Sequence, residues 1–158
     1  MLSHLFDATH DVHTVWDTLA HTDLPIVMYG TGDGADKIIN VMETLDIPLT
    51  AIFVSDDFYR GQMFRGRQVT TLSALEEQYS DFIIVVAFGS RLPEILERVR
   101  QMDQRHPLYI PDVPVYGNQL FDLPFVRQHA DELKKTYTLL ADDTSRQVFR
   151  SVIEYKLT

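Results

Sequence analysis

The chain has 158 residues, 45% of them hydrophobic, no cysteine and a formal net charge of −9; that is enough apolar material for one packed domain, while disulfides, iron–sulfur clusters, thiolate zinc sites and thiol nucleophiles are excluded. Residues 1–117 carry 17 Asp and Glu against 8 Lys and Arg, whereas residues 118–158 carry 6 of each. A nucleic acid or an anionic membrane would meet net repulsion from the first part, so neither is an expected partner. With no apolar run approaching the roughly 18 residues of a membrane helix, and no leader-like pattern at the start, a cytoplasmic location is expected.

From the N-terminus, residues 1–24 read as a helical segment, with 12–22 its most regular part. Pro25 to Tyr29 is a buried strand that ends at a glycine-rich turn, and Asp33 to Leu45 carries Ile38, Val41, Met42 and Leu45 at helical spacing. Leu49 to Val54 is a second strand closed by Ser55-Asp56-Asp57. Residues 58–66, with two glycines, read as a loop leading to a short strand at Arg67–Thr70. Ser73 with Glu76 has the form of a capping box for a helix to about Tyr79. Phe82 to Ala87 is apolar throughout, as a central strand covered on both faces should be. Ser90 and Pro93 open a helix bearing Leu92, Ile95, Leu96 and Val99, and Pro107 to Ile110 is a fifth strand. Beyond Pro111 the alternation stops: Asp122 caps a helix to about Leu139, and Asp142 opens another carrying Val148, Val152 and Ile153.

This alternation predicts an α/β, three-layer Rossmann-like domain over residues 1–117, with a five-stranded, mainly parallel sheet of order 3-2-1-4-5, followed by a helical tail over 118–158. The tail's apolar stripe (Tyr137, Leu139, Leu140, Val148, Phe149, Ile153) needs a partner: the α/β body, a second copy in a homodimer, or a downstream domain.

The candidate site lies at the glycine turn. Gly30-Thr31-Gly32-Asp33-Gly34-Ala35 follows a predicted strand and opens a predicted helix; such a turn lets the backbone approach a ligand and offers the helix N-terminus to an anion. Asp33 opposes a phosphate there, though it also suits the helix start. Ser55, Asp56 and Asp57 sit where a dinucleotide site has its ribose-binding acid, with Arg60, Arg65 and Arg67 near enough in sequence to neutralise a 2′-phosphate. Gly89 and Ser90, at the exit of the fourth strand, form the second wall at the topological switch point. The expected ligand is a nucleotide, NAD(P) or a nucleotide sugar. Gly30, Gly32 and Gly34 also match the first motif of S-adenosylmethionine methyltransferases, but Met28 stands where those enzymes carry an acid. His4, His10, Asp11 and His13 have the composition of a metal cluster without a framework to fix it, so no metal site is expected. No acid–base couple or nucleophile elbow is present, which ranks a self-sufficient oxidoreductase below a binding module. The structural alternative is an empty Rossmann-like scaffold that mediates dimerisation.

The run Leu139-Leu140-Ala141-Asp142-Asp143-Thr144-Ser145-Arg146-Gln147-Val148-Phe149, followed by Tyr155-Lys156-Leu157-Thr158, resembles the segment that precedes the catalytic domain in FkbM-type methyltransferases. Ile110-Pro111-Asp112 after a glycine-turn α/β domain is similar to a feature of several such proteins. The resemblance implies an accessory domain that is not catalytic alone, with methyl transfer from S-adenosylmethionine performed by a domain beyond Thr158. None of that family's donor-binding residues maps onto a position of this chain.

Overall fold

A computed structural model describes residues 12–158 apart from 115 and 118. It is an α/β structure whose contacts divide it into two units: Leu19–Pro111, and a second unit that combines residues 12–18 with Asp112–Thr158. The first described helix, α1 (Val15–Ala20), begins with a reciprocal cap, because Thr14 Oγ1 accepts from the Asp17 amide while Asp17 Oδ2 accepts from the Thr14 amide at 2.8 Å. That device holds a helix of only 6 residues, too short to persist on propensity alone.

The sheet of the Leu19–Pro111 unit has six strands: β1 (Ile26–Tyr29), β2 (Ala51–Phe53), β3 (Met63–Phe64), β4 (Arg67–Thr70), β5 (Ile83–Val86) and β6 (Leu108–Tyr109). Their order is β3-β4-β2-β1-β5-β6. Four neighbouring pairs are parallel and one, β3 with β4, is antiparallel. The expected five-stranded parallel sheet is therefore corrected to a six-stranded mixed one. The added strand arises within the stretch read as a loop, where Arg65 (φ 48°) and Gly66 (φ 73°) both take left-handed conformations and make a two-residue hairpin turn.

Between these strands run α2 (Asp33–Thr44), α3 (Leu72–Gln78) and α4 (Pro93–Asp103). Val27, Tyr29, Phe53, Phe82, Ile84 and Val86 point to one face, where Leu75 of α3 and Met102 of α4 cover them. The alternate residues Ile26, Met28, Ile52, Ile83 and Val85 are equally buried, so β1 and β5 are central strands covered on both sides. α2 buries Ala35, Ile38, Ile39 and Met42, and the right-handed rule for crossovers between parallel strands assigns it to that second face. α2 ends in a Schellman turn: the Ile47 amide donates to Met42 O at 2.8 Å and the Asp46 amide to Glu43 O at 3.4 Å, with Asp46 at φ 55°. The cap of α3 is Thr71, whose hydroxyl accepts from the Ala74 amide at 3.4 Å, rather than Ser73.

The other unit holds α5 (Leu123–Gln128), α6 (Ala130–Leu139) and α7 (Asp143–Leu157). The single helix expected from Asp122 to Leu139 is broken at His129 (φ −100°, ψ 18°), whose Nδ1 lies 2.7 Å from Glu132 and whose ring packs on Phe125. Asp122 and Asp142 cap α5 and α7, accepting from the Phe125 and Ser145 amides. Val126, Ile153 and Leu157 form the core here, joined by Phe121, Leu133, Tyr137 and Phe149. Lys156 pairs with Asp112 at 2.7 Å and lies over the Phe121 ring.

Candidate functional site

Parallel strands bring their carboxyl ends to one edge of the sheet, and the glycine turn sits there between β1 and α2. Gly30 has φ 118°, a conformation open to glycine and hardly to any L side chain, and its amide still completes the ladder by donating to Phe53 O at 2.9 Å. The second glycine, Gly32, is the N-cap of α2 and has open space where a Cβ would stand. Gly34 is where helix and strand pack most closely at this turn: a Cβ on it would meet the Ala87 carbonyl oxygen at 2.2 Å. Ala35 is itself fully buried. Glycine at 34 thus lets the helix N-terminus rest directly on the exit of β5.

The charge at that N-terminus is acidic and already engaged. Asp33 pairs with Lys37 at 2.9 Å and Asp36 with Arg65 at 2.7 Å. Thr31, partly exposed, follows Gly30 in the turn. Across the switch point, Gly89 is exposed with nothing near its missing Cβ, and Ser90 Oγ accepts from the Leu92 amide at 3.2 Å, shaping the approach to α4. Phe88 lies between the two walls, its ring edge-on to Tyr29 at 4.8 Å and 3.0 Å from where a Gly30 Cβ would be.

Ser55 is not a free hydroxyl. It lies 2.5 Å from the Tyr29 hydroxyl and accepts from Arg98 Nη1 at 2.5 Å. Arg98 also reaches toward Asp57 Oδ2 at 3.8 Å, while Asp56 and Asp57 lie exposed on a 3₁₀ turn over Asp56–Phe58. Hydrogen bonding to Tyr29 is the main reason the Arg98 guanidinium holds its proton more firmly than usual; partial burial opposes it, and the Tyr29, Asp57 and Asp56 charges add to it. Tyr29 is in turn fixed by stacking on Phe53, with ring centroids 4.8 Å apart.

Arg60, Arg65 and Arg67 do not gather at Ser55. Arg60 bonds to Tyr59 O, Arg65 to Asp36 and Asn40, and Arg67 to Leu49 O. The cation that does reach Ser55 is Arg98, which sequence reasoning missed. A signal was present: Ile95, Arg98, Val99 and Met102 share the i, i+3, i+4, i+7 stripe that faces the sheet, so a charge stands on an apolar face. Of the suggested metal cluster, His4, His10 and Asp11 lie outside the described residues; among the described residues no group of His, Cys, Asp and Glu could hold a metal ion. No described helix is long and apolar enough to cross a membrane.

The edge therefore offers a glycine turn with open backbone at Gly32 and Gly89, an anchored hydroxyl pair, one guanidinium and exposed carboxylates. Such groups orient a polar ligand by hydrogen bonds, and none forms a nucleophile–base couple. Comparison with protein-family models, with curated proteins and with solved structures finds no match to this chain.

Proposed function

We propose that the Leu19–Pro111 unit binds a nucleotide-type ligand (a nucleotide, NAD(P) or a nucleotide sugar) at the carboxyl edge of its sheet. The observation that carries the reading is the glycine turn from β1 into α2, facing open space at Gly32 and across the switch point at Gly89. Asp33 and Asp36 already complement the helix dipole, so the turn suits ribose or sugar hydroxyls better than a phosphate placed directly on it. Arg98, beside Ser55, is the group able to meet a ligand's negative charge. In this reading the domain is an accessory part of an FkbM-type methyltransferase, and S-adenosylmethionine is held by a separate catalytic domain of the parent protein. The resemblance of the Leu139–Phe149 run supports that assignment, as does Met28 in place of the donor-binding acid.

A thermal-shift series with NAD, NADP, S-adenosylmethionine and nucleotide sugars tests it. A ligand at a hundred times its Kd stabilises the folded state by about 2.7 kcal/mol, which for a domain of this size raises the melting temperature by roughly 5–11 °C. Gly89→Leu should abolish the shift without lowering the melting temperature of the free protein, since its side chain enters open space. No shift with any of these ligands would refute the binding reading and leave a scaffold.

A further inference from the structure

We propose that the outward face of α7 is a homodimer interface, paired antiparallel with the same helix of a second copy of the chain. The surface belongs to the helical unit, and its use does not depend on whether the glycine turn takes a ligand. α7 is apolar on two sides. Phe149, Ile153 and Leu157 turn inward, the last two only 3% and 2% exposed in the core they share with Val126. Val148, Val152 and Tyr155 recur at i, i+4 and i+7 on a different face and stand 57, 47 and 74% exposed. A surface helix ordinarily shows water a polar face, so a helix that is apolar on two sides needs cover on both.

The residues beside those three select the occupant. At 3.6 residues per turn, Thr144, Ser145, Val148, Ser151, Val152 and Tyr155 fill one continuous sector of about 120°. The five charged residues of α7, Asp143, Arg146, Arg150, Glu154 and Lys156, all fall outside it. An acidic or basic partner finds no group there to pair with, and an anionic membrane finds no cation. Charge over the whole chain favours the same contact. The entire surplus of 9 negative charges lies in residues 1–117, whereas residues 118–158 hold 6 acids and 6 bases. Two copies therefore meet with least repulsion tail to tail.

Antiparallel pairing follows from the sizes along the face. Identical faces close into a pair about a two-fold axis. With that axis at Val152, each Val152 meets its counterpart, and Val148 of one copy receives Tyr155 of the other. A parallel pair would instead set tyrosine against tyrosine and place like ends of the two helix dipoles together. The short side chains of Thr144, Ser145 and Ser151 at the margins let the helix axes approach closely. One pair of such helices covers less than the roughly 1,600 Å² of a standard interface, so the dimer belongs to the weak, reversible class with a Kd in the micromolar range.

Sedimentation velocity of the full chain from about 1 to about 300 µM brackets a micromolar Kd, and the coefficient should rise with concentration from that of a monomer to that of a dimer. Val152→Asp sets two carboxylates against each other on the axis and should weaken association at least tenfold. The position is exposed, so the variant should keep the parent's melting temperature at concentrations where both are monomeric. Because the chain has no cysteine, Val152→Cys reports the axis directly: mild oxidation should link two copies through it faster than through Ser80→Cys, an exposed control in the α/β unit. A monomer over the whole concentration range, a dimer indifferent to Val152→Asp, or a Val152→Cys chain that links no faster than the control would overturn the proposal.

Discussion

Replacing Gly34 by alanine tests how tightly α2 is seated on the sheet. A Cβ at this position would stand 2.2 Å from the Ala87 carbonyl oxygen and 3.1 Å from its carbon, against 3.4 Å for ordinary contact, so about 1.2 Å must be found between two backbone segments. No flexible side chain is there to give way. Overpacking a close-packed interior costs about 1–3 kcal/mol, and a clash of backbone with Cβ belongs at the top of that range. Alanine's better helix propensity returns at most about 1 kcal/mol, leaving a net loss of about 2 kcal/mol and a melting point lower by roughly 4–8 °C. Gly32→Ala is the matched control, because nothing lies within 4 Å of its Cβ; it should cost only a few tenths of a kcal/mol, as a poorer cap. Thermal and urea unfolding of both variants measure the difference. If Gly34→Ala proves no less stable than Gly32→Ala, the close approach of α2 to β5 is wrong.

Asp46→Gly should stabilise the protein by about 0.5–1 kcal/mol, since glycine takes φ 55° without the strain an aspartate bears there and a negative charge leaves the C-terminal end of α2; an unfolding midpoint at or below that of the parent would contradict this. Glu76→Ala removes the acceptor within 3.2 Å of His106 Nε2, on a ring that is buried and stacked on Phe82, together with the 2.6 Å bond to Arg105. A loss of about 1–2 kcal/mol in urea unfolding is expected. The Ser145 amide holds the Asp142 carboxyl below the usual carboxylate range. Its folded-state pKa being depressed, the stability it adds to α7 is complete above the ordinary carboxylate pKa and is lost as pH falls through the lower folded value. Hydrogen exchange of the first turn of α7 should speed up in acid in the parent but not in Asp142→Asn, which keeps the cap without the titration. Equal acid sensitivity of the two would assign the effect elsewhere.

The strands that carry apolar side chains on both faces were legible because burial leaves no alternation to misread: Ile83 to Val86 is buried throughout, as the uninterrupted run from Phe82 to Ala87 implies. The β3–β4 hairpin was hidden because its turn uses Arg65 before Gly66, where Asn or Asp before Gly would have announced it. Likewise, the break at His129 carries neither glycine nor proline; its cause is the local pairing of His129 with Glu132 and Phe125, which periodicity does not register. Position along the chain pointed to Ser55, but only the fold could bring Arg98, 43 residues away, onto its hydroxyl. The three nearer arginines were drawn off by acceptors of their own.

Both margins of the sheet end in strands of 2 residues, β3 at one side and β6 at the other. Such a margin presents too few unpaired amides and carbonyls to template the addition of a foreign strand, the step by which sheets fuse into fibrils. The hairpin turn is pinned to α2 through Arg65, whose Nε and Nη2 bond to Asp36 and Asn40 at 2.7 Å each. That clasp keeps β3 laid over the longer β4. Without it, the four residues from Arg67 to Thr70 would become an open rail, and the cost would surface as precipitation during expression or storage.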